Sequence, residues 1–219
     1  MAIQVKICGI NSADAADAAV RAGAHYAGLM FHPGSARNLA PQQAAGLAAH
    51  MRGRIRIVAV VADPADDMIA SIVASVKPDM IQLHGRESAA RTGAIRARFN
   101  LPILKAFAIA DAGDLANVAS YDDAADMYLF DAKAPASAER PGGHGAAFDW
   151  SLMAGRSFAR PWLLAGGLNA QNVARAIACT GAGAVDVSSG VETAPGVKDA
   201  NLIGAFVTAA RNAHLAAEA

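Results

Sequence analysis

Eight short apolar runs divide this chain, and alanine-rich stretches with apolar residues at helical spacing lie between most of them. A chain that alternates strands and helices in this way forms a parallel sheet, because parallel strands need a crossover connection that is usually a helix. The runs predict strands at residues 3–8, 26–31, 56–62, 80–85, 103–107, 127–131, 162–165 and 184–188. The patterns between them predict helices at residues 12–22, 41–51, 66–76, 87–98, 111–120, from 169 onward, and 199–215.

Two architectures accommodate such units, a closed barrel and an open doubly wound sheet. The open sheet often carries a GxGxxG turn after its first strand, and no such turn follows residues 3–8. Eight units in 219 residues also match the usual length of a barrel. We therefore predict the α/β class, with residues 1–219 forming a single-domain (β/α)8 TIM barrel.

The charge balance argues against two kinds of partner. Lys and Arg together number 19, as do Asp and Glu, so no basic field exists to hold nucleic acid or an anionic membrane. No apolar run of about 18 residues predicts a membrane span, and the first residues lack the pattern of a secretory signal. Cys8 and Cys179 lack the spacing of a disulfide framework or a zinc site. We expect a cytoplasmic protein that binds no metal, nucleic acid or membrane.

Four polar side chains lie at or just after predicted strand ends, and the C-terminal ends of barrel strands carry the active site. Cys8 ends the first strand and Asp131 the sixth, so a thiol and a carboxyl are candidates for acid–base catalysis. Arg37 follows the second strand and offers a fork for a carboxylate or phosphate, and His84 offers a hydrogen bond to a ligand. Each also has a structural interpretation, as a buried thiol, a loop cap, a solvated cation or a structural histidine.

Two glycine-rich loops indicate a phosphate site. Gly166 and Gly167 follow the seventh predicted strand, and Ser189 and Gly190 follow the eighth. Barrels often bind phosphate with these two loops, through backbone N–H groups and a helix N-terminus. One glycine pair alone indicates only a tight turn, but two at consecutive strand ends favour a small phosphorylated substrate.

One connection is unusually long. Residues 132–147 contain two prolines and three glycines and show no periodicity. Such connections are commonly functional or disordered, so the segment is either a lid over the active end or a tolerated surface insertion.

Taken together, these residues resemble the phosphoribosylanthranilate isomerase family of tryptophan biosynthesis. The resemblance spans nearly the whole chain, in order and spacing, through the segments VKICGI, SAR, QLHG, FD, GG, FDW, AGGL and DVSSGVE at residues 5–10, 35–37, 82–85, 130–131, 142–143, 148–150, 165–168 and 186–192. It implies a (β/α)8 barrel that carries out an Amadori rearrangement of N-(5-phosphoribosyl)anthranilate without a cofactor.

The resemblance also implies roles for individual residues. Cys8 corresponds to the family's general base, Asp131 to its general acid, and Arg37 to the arginine that contacts the anthranilate moiety. The chain departs from the family in two loops. Residues 34–37 read Gly-Ser-Ala-Arg instead of Lys-Ser-Pro-Arg, and residues 142–146 read Gly-Gly-His-Gly-Ala instead of Gly-Gly-Thr-Gly-Lys.

Two other functions fit part of the pattern. A barrel lyase similar to indole-3-glycerol-phosphate synthase would share the phosphate loops, but would have lysine and glutamate at its catalytic strand ends. A non-catalytic phosphate-binding barrel would not need Cys8, Asp131 and Arg37 together. We expect the isomerase, acting on a small phosphorylated substrate as a monomer rather than a homodimer.

Overall fold

The computed structural model describes residues 2–133 and 149–217, with side chains as far as residue 213 in the last helix. Eight parallel strands close into a barrel, in which β1 is hydrogen-bonded to both β2 and β8. The strands are β1 Gln4–Cys8, β2 Tyr26–Met30, β3 Arg56–Val61, β4 Met80–Leu83, β5 Ile103–Ile109, β6 Met127–Ala132, β7 Trp162–Leu164 and β8 Ala184–Val187. The predicted α/β barrel is confirmed.

The described part of the chain has six α-helices, five between strands and one after the last strand. They are α1 Ala13–Ala22, α2 Pro41–Met51, α3 Asp66–Val76, α4 Ala89–Phe99, α5 Val173–Thr180 and α6 Ala200–Ala217. Local chemistry sets their ends. The Ser12 hydroxyl accepts a hydrogen bond from the N–H of Ala15 at the start of α1, and Gly23 ends that helix in the left-handed region at φ 77°.

The helix predicted at residues 111–120 is absent, and two 3₁₀ turns, Ala112–Leu115 and Val118–Tyr121, replace it. Asp111 accepts a hydrogen bond from the N–H of Gly113, and Asp114 accepts one from the N–H of Ala110. These short side chains bind the backbone locally and so compete with a helix. The connection after β6 likewise has, among its described residues, only a 3₁₀ turn at Trp150–Met153.

Two apolar layers surround the strands. The outer layer lies between barrel and helices and includes Val5 and Ile7 of β1. The inner layer fills the barrel and consists of Cys8, Tyr26, Val58, Val60, Met80, Leu104, Ala106, Leu129, Leu163, Ala165 and Ala184. Because side chains alternate along a strand, Lys6 and Cys8 share the inner face of β1, with Cys8 at its C-terminal end.

A small hairpin that the sequence analysis did not predict follows β8. Its strands are β9 Glu192–Ala194 and β10 Val197–Lys198, which pair antiparallel. The Asn11 side chain, in the loop after β1, donates a hydrogen bond of 2.9 Å to the carbonyl oxygen of Gly196. The hairpin therefore lies at the C-terminal end of the barrel, beside the loops that carry the candidate residues.

None of the helices described in residues 2–133 and 149–217 is both long and apolar enough to cross a membrane.

Candidate active site

Cys8 lies buried at the end of β1, where the chain turns sharply through Gly9 at φ 78°. The N–H groups of Gly9 and Ile10 both donate 2.9 Å hydrogen bonds to the carbonyl oxygen of Gly28 on β2. A Cβ atom on Gly28 would lie 3.0 Å from the Cys8 Sγ and 3.4 Å from the Lys6 Nζ. Because residue 28 is glycine, the thiol of Cys8 and the ammonium group of Lys6 both have room beside it in the barrel interior.

A buried ion pair lies below the thiol. The Lys6 Nζ, fully buried, donates a 2.8 Å hydrogen bond to the Asp186 Oδ1 of β8. Burial raises the pKa of the Cys8 thiol above its usual value; the Lys6 ammonium opposes this shift, and the Asp186 carboxylate adds to it. The thiolate is therefore a minor species in the free protein at neutral pH.

Asp131 is the last but one residue of β6, on the inner face of the barrel, and contacts His84. The His84 Nε2 lies 3.3 Å from the Asp131 Oδ2, and the Gln82 Nε2 lies 2.8 Å from the His84 Nδ1. If the Gln82 amide donates to Nδ1, the ring proton lies on Nε2 and points at Asp131. The Nε2 of His84, the expected hydrogen-bond donor to a ligand, therefore lies against the carboxyl of the candidate acid.

Arg37 lies in the loop after β2. Its side chain is buried, and its guanidinium binds the carboxylate of Glu192. The Arg37 Nε donates to the Glu192 Oε1 at 2.7 Å, and the Arg37 Nη2 donates to the Glu192 Oε2 at 2.6 Å. The hydrogen bonds to Glu192 raise the pKa of Arg37, so its guanidinium is always charged. Among the hydrogen bonds of the described residues none uses Arg37 Nη1, which remains for a ligand.

The two glycine loops pack directly against each other. Gly166 and Gly167 have φ angles of 86° and 62°, which favour glycine. Their N–H groups donate no hydrogen bond to any residue in the described ranges, so they can bind an anion. A Cβ atom on Gly190 would overlap the carbonyl oxygen of Leu168. Gly190 is thus required because the loop after β7 approaches it closely, and Ser189 starts the 3₁₀ turn beside it.

The structure adds residues that the sequence analysis missed as part of the site, namely Lys6, Gln82, Asp186, Glu192 and Lys198. Lys6, Gln82 and Asp186 carried a signal, because a polar residue on the inner face of a buried strand needs a partner. Glu192 lies in the segment at residues 186–192 that carries the family resemblance, but no pattern pairs it with Arg37, and Lys198 has no signal at all, because the hairpin that brings both to Arg37 is not predictable from the sequence pattern. The departure at residues 142–146 and all but the first two residues of the connection at 132–147, for which a lid or a surface insertion was considered, lie outside the described residues.

The protein is a (β/α)8 barrel that groups a thiol, a carboxyl and an arginine at its C-terminal strand ends, where enzymes of this fold carry their active sites. The family model described as N-(5'-phosphoribosyl)anthranilate (PRA) isomerase matches residues 5–209. The chain belongs to this family.

Individual relatives agree. An N-(5'-phosphoribosyl)anthranilate isomerase of Rhodospirillum centenum is 51% identical over 96% of this chain and 99% of its own length. A structure described as mutually generated monomers of the dimeric isomerase from Thermotoga maritima has a TM-score of 0.83 and 32% identity, covering 96% of this chain and 99% of that one. A third structure, the isomerase with reduced 1-(o-carboxyphenylamino)-1-deoxyribulose 5-phosphate, has a TM-score of 0.83 and 31% identity at the same coverage.

Proposed function

We propose that this chain converts N-(5-phosphoribosyl)anthranilate to 1-(2-carboxyphenylamino)-1-deoxyribulose 5-phosphate in tryptophan biosynthesis, with Cys8 as general base and Asp131 as general acid. The observation that carries the proposal is that β1 and β6 present these two side chains to the same mouth of the barrel, in a chain that belongs to the isomerase family. The relative solved with the reduced product analogue supports the same substrate class.

The reaction opens a sugar ring and then moves a proton. Asp131 gives its proton to the ring oxygen as the bond from that oxygen to C1 breaks, and the anthranilate nitrogen lone pair forms an iminium with C1. The iminium acidifies the proton on C2. The Cys8 thiolate takes this proton, and the C–H electrons form the C1=C2 bond of an enolamine. The C=N electrons of the iminium return to nitrogen in that step. The enolamine then loses its O2 proton and gains a proton at C1, which gives the ketone product. Exchange with solvent returns a proton to Asp131 and removes one from Cys8.

The environment of each group suits its step. The His84 Nε2 lies 3.3 Å from the Asp131 Oδ2 and can orient the carboxyl toward the substrate. The raised pKa of Cys8 means that little thiolate exists before substrate binds, but a thiolate of raised pKa is the stronger base once formed. Proton removal is thus favoured only after ring opening has acidified C2.

Both ends of the substrate have complementary groups. In this proposal the N–H groups of Gly166, Gly167, Ser189 and Gly190, which donate no hydrogen bond within the described ranges, bind the phosphate. Arg37 Nη1, which Glu192 does not use, binds the anthranilate carboxylate. Fixing both ends leaves the sugar between base and acid, which lowers the entropic part of the barrier.

A substrate with deuterium at C2 tests the two roles separately. Cys8→Ser replaces the thiol by a hydroxyl that is almost never ionised at neutral pH, so kcat should fall by roughly 10²–10⁴-fold with an isotope effect larger than that of the wild type. Asp131→Asn cannot give a proton, so kcat should fall by a similar factor with a smaller isotope effect, because ring opening becomes limiting.

Cys179→Ser is the matched control, since Cys179 is exposed on α5 and should leave kcat unchanged. A folded Cys8→Ser protein with the wild-type rate would rule out the thiol as base. For the function as a whole, failure of the soluble wild-type protein to rescue a tryptophan auxotroph that lacks this isomerase would contradict the proposal.

We infer a cytoplasmic location as well. The support is the biosynthetic family and the presence of Cys8 as a free thiol, which must stay reduced to act as a base. Cell fractionation would test it.

A further inference from the structure

We propose that Glu192 is a positioning residue for the substrate-binding arginine. In this proposal, which rests on the proposed role of Arg37, the hairpin of β9 and β10 fixes where the anthranilate carboxylate binds relative to the Cys8 thiol. Glu192 itself does not contact the substrate.

The geometry at Arg37 leaves little freedom. Both oxygens of Glu192 accept from the guanidinium, at 2.7 and 2.6 Å, and the exposed fractions of the two side chains are 6% for Arg37 and 3% for Glu192. A bidentate pair fixes the plane of the guanidinium as well as its position. Arg37 Nη1 therefore points in one direction only, set by Glu192.

Lys198 ties this pair to the strand that carries the thiol. The Lys198 Nζ, with a fully buried side chain, donates to the Glu192 Oε1 at 2.7 Å and to the carbonyl oxygen of Ser188 at 3.0 Å. The Ser188 hydroxyl in turn donates to the carbonyl oxygen of Cys8 at 3.1 Å. A continuous hydrogen-bonded chain thus runs from the Arg37 guanidinium to the backbone of Cys8.

Backbone packing holds the hairpin in the same place. A Cβ atom on Gly196 would lie 2.8 Å from the carbonyl oxygen of Ala36, and one on Gly9 would overlap the Arg37 side chain. The hairpin, the loop after β1 and the loop after β2 are therefore in direct contact around Arg37. Glu192 lies where the three meet.

The charges explain why a carboxylate is needed at position 192. Arg37 and Lys198 are two cations that would repel each other in a buried site, and Glu192 lies between them. Burial lowers the pKa of Lys198, and Glu192 opposes that shift, so the carboxylate favours the charged form of both cations. The pKa of Glu192, which burial alone would raise, is held below its usual value by Arg37 and Lys198, so the carboxylate stays charged at neutral pH.

Glu192→Gln tests the proposal with little change of shape. The amide nitrogen cannot accept from the guanidinium, so one arm of the fork is lost and Arg37 turns. We expect KM for the anthranilate substrate to rise by roughly 10- to 100-fold, the size of a charged hydrogen bond, while kcat stays within about threefold. The dissociation constant of inorganic phosphate, measured by calorimetry, should not change, because the glycine loops are untouched. Glu192→Asp keeps the charge and should recover part of the loss.

A double-mutant cycle with Arg37→Lys distinguishes positioning from a general structural effect. If Glu192 acts through Arg37, the double variant should have the same KM as Arg37→Lys alone, because the fork is already gone. Val197→Thr, an exposed change on the same hairpin, is the control and should keep wild-type KM and kcat.

Three results would overturn the proposal. The first is a wild-type KM in Glu192→Gln when Arg37→Lys raises KM. The second is full additivity of the two effects on KM in the double variant. The third is a Glu192→Gln protein in which KM and kcat change equally while phosphate affinity and the free energy of unfolding both fall. An unchanged KM in Arg37→Lys would instead contradict the role proposed for Arg37 itself.

Discussion

Lys6 shows what a charged residue inside the barrel costs and how the chain compensates for it. Its Nζ is fully buried 2.8 Å from the Asp186 Oδ1, and this contact raises the pKa of Lys6 although desolvation acts in the opposite direction. A buried pair of this kind is weak evidence for stability, because desolvation offsets most of the attraction. Its location beside Cys8 instead indicates that it sets the electrostatic environment of the thiol.

Removing one partner of this pair should be far more costly than removing both. Lys6→Met should lower the free energy of unfolding by about 3–5 kcal/mol, because it leaves the Asp186 carboxylate buried and unpaired. Adding Asp186→Leu should restore much of that loss. Urea unfolding measures both, and Arg54→Met is the control, since Arg54 pairs with Asp17 at 3.4 Å on the surface and should cost under about 1 kcal/mol. A Lys6→Met protein as stable as the Arg54 variant would contradict the argument.

At the scale of elements, the strands were the most predictable part of the chain. Each of the eight was predicted within one or two residues of its observed ends, because a strand buried on both faces is a near-continuous apolar run. The helix predicted at residues 111–120 does not form, because the Asp111 and Asp114 side chains accept hydrogen bonds from nearby backbone N–H groups. The spacing of apolar residues carries no information about such local hydrogen bonds.

The candidate site was predictable only where a strand end carries it. Cys8, Asp131 and the glycine loops follow directly from strand ends in a barrel. The partner of Arg37 does not, because Glu192 lies 155 residues away along the chain and reaches Arg37 through a hairpin of five described strand residues with no strong pattern. Contacts of this kind depend on how loops pack after the barrel has closed.

A substitution at Gly190 tests whether the loop after β8 contributes to the phosphate site. Gly190→Ala should push the loop after β8 away from Leu168, because the added Cβ would overlap the Leu168 carbonyl oxygen. Overpacking of this kind typically costs about 1–3 kcal/mol of stability, and the displaced amides should bind inorganic phosphate more weakly in calorimetry.

The same substitution at Gly183 is the matched control. Gly183 precedes β8, has no atom within 4 Å of an added Cβ, and should tolerate alanine without loss of stability or phosphate affinity. If Gly190→Ala binds phosphate as tightly as the wild type, the anion site does not include this loop.

At the scale of the whole molecule, closure of the barrel pairs its first strand with its last. β1 pairs with β8 through residues such as Lys6 and Asp186, which are 180 positions apart. Removing either β1 or β8 would open the sheet. We therefore infer that the chain forms one domain, which should unfold as one cooperative unit.

Oligomeric state is the remaining property of the whole molecule. Among the side chains described, Val197 is the one exposed large apolar residue, with 53% of its surface accessible. A stable dimer usually buries about 1,200 Å² or more, with an apolar centre, and an isolated valine does not provide one. The relative from Thermotoga maritima is described as dimeric, so membership of the family does not decide the question.

We therefore expect this chain to be a monomer in solution. Sedimentation equilibrium should give a mass near 22.3 kDa that does not change over about two orders of magnitude in protein concentration. Val197→Thr, which makes that exposed side chain polar, should sediment identically. A mass of twice this value in the wild type, with dissociation on dilution, would contradict the expectation, and a shift of that dissociation in Val197→Thr would place the interface at the hairpin.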